Sequence, residues 1–307
     1  MVATPEPQAR VDAVVERVRQ VYGKWRRNTS AEQMRADWDE LFWNDSQPCD
    51  FEDTELGSVP VRVIAAPGVN TQRACLYFHG GGYKMGSVVS HHDLMVRISA
   101  AADCQVVGVN YRLNPEHRFP APLEDGMAVY RALLAAGHAG QNLALAGDSA
   151  GGGIAASLLL SIRDQTLPQP CGAVLLSAWL DMSLSGDSYA SCAKSDPIHQ
   201  KFMLQAIAGQ YLGEGVDPAQ PGVSPLFGDL QNLPPVLLQV AEGEVGRDDS
   251  VAFAEKLQAS GGQAELSVWS DMIHVFQQFA DDLPEARQAI AQIGEFLQAQ
   301  WGPGAAQ

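Results

Sequence analysis

The sequence predicts an α/β fold in which a mostly parallel β-sheet is covered by helices on both faces. Short apolar runs alternate with helical patterns along residues 74–301, and this alternation is typical of repeated βαβ units. Runs such as 143–146 are apolar at every position, as expected of strands buried on both faces. With 307 residues, of which 46% are hydrophobic, the chain can fill the large core that this architecture requires.

The chain opens with two predicted helices that precede any strand. Residues 8–25 carry a stripe of valines opposite arginines, and residues 29–32 have the side chains that cap a second helix. The second helix places bulky apolar residues on one side, which leaves two interpretations open. The pair is either an ordinary packing unit or part of a lid over a substrate pocket. The side chains that would wall this pocket are Met34, Trp38, Phe42 and Trp43.

Strands and helices then follow in a regular order. Two antiparallel strands are predicted at 50–56 and 59–65, joined by a turn at Gly57-Ser58. The parallel part of the sheet is predicted as strands at 74–79, 105–110, 143–146, 173–177, 236–241 and 264–269, with helices at 91–102, 123–136, 149–163, 250–259 and 284–301.

The regular order is interrupted between residues 180 and 227, which are rich in Ser, Asp, Gly and Pro and hold one predicted helix, 201–212. This segment leaves the carboxyl end of the sheet, where open α/β folds bind ligands. We therefore divide the chain into N-terminal cap helices (1–45), a first part of the α/β core (46–182), a cap insertion (183–225) and a second part of the core (226–307).

Composition excludes several classes of partner. The net charge of −16 repels nucleic acid and anionic membrane surfaces, so neither is an expected partner. The five cysteines show no C-x-x-C spacing, which predicts reduced thiols in a cytoplasmic protein and no metal site. The first seven residues lack the basic and apolar regions of a secretion signal. Nothing in the sequence calls for a cofactor.

The most informative segment is Gly147-Asp148-Ser149-Ala150-Gly151, which matches the G-x-S-x-G pattern. It lies between a predicted strand and a predicted helix, as the nucleophile elbow of an α/β-hydrolase does. Side chains at the two outer glycines would collide with neighbouring segments at so sharp a turn. The pattern therefore predicts Ser149 as a nucleophile held above the sheet.

A serine nucleophile needs a base and an acid, which follow it along the chain in this fold. His274 comes shortly after the strand at 264–269 and is the predicted base, whereas His199 in the irregular insertion is expected far from the sheet edge. The acid must follow the strand at 236–241. Glu242, Glu244, Asp248 and Asp249 are the candidates, and Glu244 leads because the two aspartates lie where the next helix begins and can cap it.

A glycine-rich turn, His79-Gly80-Gly81-Gly82-Tyr83, follows the strand at 74–79. Without Cβ atoms, Gly81 and Gly82 can turn their N–H groups into a cavity. Together with the N–H of Ala150 they would make three donors for an oxyanion. His79 is expected to brace the loop by hydrogen bonding rather than to titrate.

These motifs resemble those of the bacterial hormone-sensitive-lipase-like esterases, the family IV carboxylesterases. The resemblance rests on 79–83, on 147–152 and on the run 110–120, and it extends over 11–301. It implies a helical cap made of the N-terminus and an insertion after the sixth strand, and activity on esters with short to medium acyl chains. It supports Glu244 as the acid, but Gly246-Arg247 departs from the family pattern, so Asp248 stays an alternative. Homodimers are common in this family.

The sequence thus predicts a serine carboxylesterase with no cofactor and a small-molecule ester substrate. Two alternatives stay open: a lactone or amide hydrolase of the same mechanism, and a non-catalytic receptor of the same fold. The receptor is disfavoured because His274 is present. The predicted pocket residues are Tyr83, Asp148, Trp38, Phe42, Trp179 and Phe202.

Overall fold

A computed structural model describes residues 7–302, so the start of the chain, on which the predicted lack of a secretion signal depends, lies outside the described residues. Its central element is an eight-stranded sheet in the order β1-β2-β4-β3-β5-β6-β7-β8. The pairs β1–β2 and β2–β4 are antiparallel, and all other pairs are parallel. The strands are β1 (Asp50–Leu56), β2 (Val59–Ala65), β3 (Ala74–Phe78), β4 (Gln105–Val109), β5 (Leu143–Asp148), β6 (Gly172–Leu176), β7 (Val236–Ala241) and β8 (Ala264–Trp269).

The helices in the described part of the chain are α1 (Pro7–Lys24), α2 (Ala31–Phe42), α3 (His92–Ala102), α4 (Ala121–Ala135), α5 (Ala150–Asp164), α6 (Ser188–Ser191), α7 (Lys201–Leu212), α8 (Arg247–Ala259) and α9 (Pro284–Gln300). The predicted α/β fold is confirmed. The main difference in detail is the start of α8, which begins at Arg247 rather than at residue 250. Asp248 and Asp249 are therefore first-turn residues of this helix.

The core lies in two layers, one on each face of the sheet. On one face α4, α5 and α8 contribute side chains such as Tyr130, Leu158 and Phe253. On the other face α1, α3 and α9 contribute side chains such as Val14 and Ile98. Strand β5 is buried at every position between these layers, which is why its sequence is continuously apolar until the carboxyl end.

Two separate segments cover the carboxyl ends of the strands. Helix α2 is capped by Ser30, whose hydroxyl accepts a hydrogen bond from the N–H of Gln33 (3.1 Å), and it packs against α1. The guanidinium of Arg19 in α1 donates to the carbonyl oxygen of Pro197 (3.1 and 3.2 Å), which joins the N-terminal helices to the insertion. Within residues 7–302, no helix has the length and apolar character needed to cross a membrane.

Candidate active site

Ser149 lies at the turn between β5 and α5 in a strained conformation, with φ 52° and ψ −121°. Its backbone is fixed on both sides, because its N–H donates to the carbonyl of Leu176 (2.9 Å) and its carbonyl accepts from Trp179 (2.9 Å). A Cβ on Gly147 would lie 2.5 Å from the carbonyl oxygen of Gly151, and a Cβ on Gly151 would overlap that of Phe78. The two outer glycines of the motif are therefore required by the close approach of three backbone segments.

His274 and Glu244 are brought together by the loops that follow β8 and β7. Nδ1 of His274 lies 2.6 Å from Oε2 of Glu244, and the carboxylate is only 3% exposed. Burial lowers the pKa of His274, but the charge and hydrogen bond of Glu244 outweigh this and raise it above its ordinary value. Asp248 has other partners, since it accepts from Arg247 (2.9 Å) and from the N–H of Ser188 (2.8 Å). The structure thus brings Glu244, and not Asp248, to His274.

Ser177 holds the acid in place, and sequence reasoning missed it. Its hydroxyl donates to Oε1 of Glu244 (2.6 Å) and accepts from the N–H of Val275 (3.1 Å), the residue after His274. The N–H of Ala241 donates to the same carboxylate oxygen (2.8 Å). A serine directly after a buried strand was the available signal, but its role depends on a long-range contact that no local pattern shows.

The glycine loop after β3 has the open geometry expected of it. Gly81 and Gly82 have φ values of 120° and 62°, and a Cβ on Gly81 would overlap the carbonyl of Met85. Within residues 7–302 the N–H groups of these two glycines have no hydrogen-bond acceptor. Ala150 is the first residue of α5, where the N–H has no partner in its own helix.

Asp148 joins the glycine loop to the elbow. Its carboxylate accepts from the hydroxyl of Tyr77 (2.7 Å) and the N–H of Gly80 (2.9 Å), and it lies 3.2 Å from Nε2 of His91. Burial alone would raise the pKa of Asp148, but His91 and Tyr77 lower it on balance. Asp148 lines the cavity, as predicted for a pocket residue, but its polar atoms serve the scaffold. The role of His91 was missed by the sequence analysis.

His79 stays neutral behind this loop. Burial lowers its pKa to about 3, its Nδ1 lies 2.9 Å from the carbonyl of Gly80, and its ring stacks on Tyr111 at 4.2 Å between centroids. The contacts fit the predicted bracing role.

An apolar cavity of about 110 Å³ opens over Ser149. Trp38, Phe42 and Trp179 line it, together with Asp148. A second, smaller cavity of about 30 Å³ shares Ser149, Trp179 and three more lining residues with the first. The residues that both cavities share are Ser149, Trp179, His199, Leu204 and His274.

Two predicted pocket residues are corrected by the structure. Phe202 is 69% exposed on α7 and points away from the cavity, whose α7 wall is formed by Met203, Leu204 and Ile207. Tyr83 is buried outside the lining, where its ring stacks on Tyr211 at 3.8 Å between centroids. Helix α7 is apolar on more than one side, so its periodicity does not select the face that meets the cavity.

The structure also corrects the prediction that His199 lies far from the sheet edge. Its ring contacts that of His274, with centroids 4.4 Å apart and planes at 78°. The loop between α6 and α7 returns to the sheet edge, held by Asp196, whose carboxylate accepts from the N–H of His199 (2.8 Å) and that of Val245 (3.0 Å). All five cysteines are unpaired, and among residues 7–302 no cluster of His, Cys, Asp and Glu could hold a metal ion.

Comparison with known proteins identifies the family. The family model described as alpha/beta hydrolase fold matches residues 75–278, about two thirds of the chain. An acetyl-hydrolase of Streptomyces hygroscopicus is 39% identical over 238 residues, which cover 78% of this chain and 79% of that protein. An esterase of Acinetobacter venetianus is 35% identical over 243 residues, covering 77% of this chain and 80% of that protein.

Solved structures agree over almost the full length. A crystal structure of an esterase from the bacterial hormone-sensitive lipase family is 41% identical, has a TM-score of 0.91, and covers 98% of this chain and 100% of that one. A crystal structure of EstE5 that was soaked with p-nitrophenyl butyrate is 37% identical, has a TM-score of 0.88, and covers 97% of this chain and 99% of that one. The chain belongs to the α/β hydrolase fold family and, within it, to the bacterial hormone-sensitive-lipase group of carboxylic ester hydrolases.

Proposed function

We propose that the chain is a serine carboxylesterase that hydrolyses esters with short to medium acyl chains through Ser149, His274 and Glu244. Ser149 Oγ attacks the ester carbonyl while His274 takes its proton, and Glu244 orients the imidazole and stabilises its cation. The N–H groups of Gly81, Gly82 and Ala150 hold the oxyanion. The alcohol leaves with the proton from His274, and a water molecule then releases the acid from the acyl-enzyme by the same steps.

One observation carries this proposal: the imidazole held at Nδ1 by Glu244 lines the same cavity as Ser149. Within residues 7–302 the Ser149 hydroxyl has no hydrogen-bond partner, so its bond to His274 would form as substrate binds. The apolar lining and small volume of the cavity support an acyl group of a few carbons rather than a long chain.

The test is the change Ser149→Ala, measured with a panel of p-nitrophenyl esters of rising chain length. We expect turnover to fall by about 10⁶-fold, to the residual level left by the oxyanion donors and binding. Ser46→Ala, at an exposed serine, is the matched control and should keep full activity. Unchanged turnover in Ser149→Ala would contradict the proposed mechanism.

A separate measurement is needed to tell whether the substrate is an ester, an amide or a lactone, because the hydrolysis of all three uses the same residues. Rates on an ester, an anilide and a lactone with the same acyl group would rank these alternatives, and we expect the ester to be fastest. The non-catalytic receptor is the less favoured alternative, since it gives no role to the His274–Glu244 contact. The homodimer and the cytoplasmic location stay predictions.

A further inference from the structure

His199 occupies a position that the mechanism above leaves without a role. In the described part of the chain its ring nitrogens have no hydrogen-bond partner, although its ring lies against that of His274. It lines both cavities that meet at Ser149. We propose that His199 is a positioning residue for the catalytic base, whose ring covers the cap side of His274 and keeps the imidazole directed at Ser149. The inference rests on the proposed function, because it requires His274 to be the base.

The ring of His274 is held by two contacts, one to Glu244 and one to His199. The hydrogen bond to Glu244 fixes one atom of the His274 ring, Nδ1, but a single bond leaves the plane of the ring free to tilt about it. The edge-to-face contact with His199, at 4.4 Å and 78°, supplies a second constraint. Two contacts on different sides of an imidazole define its orientation, which proton transfer from Ser149 requires.

His199 is itself held in place by Asp196. Asp196 accepts hydrogen bonds from the N–H groups of Ile198 (2.9 Å), His199 (2.8 Å) and Val245 (3.0 Å). Val245 follows Glu244 directly in the chain. One buried carboxylate therefore ties the cap segment that carries His199 to the loop that carries the acid, so the two supports of His274 keep a fixed relation.

The charge of His199 differs from that of His274, and this affects how the catalytic base is shielded from water. Burial lowers the pKa of His199 to about 4, and the positive charge of His274 acts in the same direction, so His199 stays neutral while His274 titrates. The charged groups that face His274 are Glu244 from the loop after β7, Asp196 from the cap and Asp148 from the elbow. A neutral ring among these carboxylates excludes water from His274 without competing for its proton.

The change His199→Ala tests the proposal, with His199→Phe as the variant that restores an aromatic cover. We expect kcat of His199→Ala to fall about tenfold with a smaller change in KM, because the base loses its orientation. Its acid limb in kcat/KM should move to higher pH, since water that enters beside His274 relieves the burial that lowers its pKa. In His199→Phe, both kcat and the acid limb should lie within about twofold and a few tenths of a pH unit of the parent.

Three controls separate the possible outcomes. His117→Ala, at an exposed histidine outside both cavities, should leave kcat and the pH profile unchanged. Ser149→Ala must lower turnover by about 10⁶-fold, and if it does not, the proposed function fails before this inference is reached. Thermal unfolding checks that each variant is folded, and His199→Asn replaces His199→Ala if the alanine variant is not.

Two results would overturn the inference while leaving the proposed function intact. One is a parental kcat and acid limb in the folded His199→Ala or His199→Asn variant, which would show that His274 needs no cover. The other is a His199→Phe variant as impaired as His199→Ala, which would show that the ring nitrogens act directly rather than through packing.

Discussion

The sheet edge and the cap hold their side chains in different ways. At the sheet edge, Glu244 and Asp148 each accept several short hydrogen bonds from neighbouring strands and loops, so polar atoms are fixed individually. In the cap, Tyr22, Trp38 and Phe42 are held mainly by ring contacts at 4.9–5.7 Å between centroids. Hydrogen bonds specify the position of an atom, whereas ring packing specifies the shape of a wall. Substitutions among the hydrogen-bonded residues at the sheet edge should therefore have large effects. Substitutions among the residues that line the cavity in the cap should have small ones.

The first contrast between the two regions is the effect on stability of replacing a glycine by alanine. Gly151→Ala forces a Cβ against the carbonyl of Phe78 at the elbow and should lower the free energy of unfolding by on the order of 3 kcal/mol. Gly209→Ala, in helix α7 of the cap with open space around it, should raise stability by up to about 1 kcal/mol. Urea unfolding of both variants measures this contrast, and equal effects would contradict it.

A second contrast concerns the acid. Glu244→Gln keeps the shape of the side chain but removes the charge that stabilises the cation of His274, and we expect kcat to fall by about 10³–10⁴-fold. Asp248→Asn is the matched control, because Asp248 pairs with Arg247 instead, and its kcat should change less than threefold. Steady-state kinetics of the pair decides between the two carboxylates that the sequence left open.

The pH profile gives a smaller and more specific signal. Because Glu244 raises the pKa of His274, activity should be lost as pH falls through this raised value, which protonates the base. In Glu244→Gln the residual activity should persist to lower pH, because the acid limb is displaced downward when the charge that raises the pKa of His274 is removed. The acid limb is measured as kcat/KM against pH. An upward displacement in Glu244→Gln would contradict the conclusion that Glu244 raises the pKa of His274.

The smallest effects are expected in the wall of the cavity. Leu204→Ala enlarges both cavities and should shift preference toward longer acyl chains by a few-fold, without loss of turnover. Phe202→Ala, two residues earlier in the same helix but exposed, should leave the chain-length profile within about twofold of the parent. If Phe202→Ala shifted the profile more than Leu204→Ala, the outward orientation of Phe202 would be contradicted.

The sequence could predict how residues meet at the sheet edge, but it could not predict how residues of the cap are placed. Ser149, His274 and Glu244 each follow a strand of a parallel sheet, and consecutive strands end at the same edge, so their meeting can be inferred from order alone. Phe202 and His199 lie in a segment with no such rule. The face of α7 is chosen by what it packs against, and the return of residue 199 to the sheet edge depends on Asp196 binding a loop 49 residues later. Neither contact can be recognised from a periodic pattern in the local sequence.

The buried carboxylate of Asp148 has a consequence for motion during turnover. If the nucleophile turn and the glycine turn moved apart, the buried carboxylate of Asp148 would lose the hydrogen bond from the N–H of Gly80, which is costly in a dry interior. These two turns should therefore move together as one rigid unit. Motion that admits the ester and releases the acid is then expected from the cap side chains Tyr22, Trp38 and Phe42, which are held to one another by ring packing.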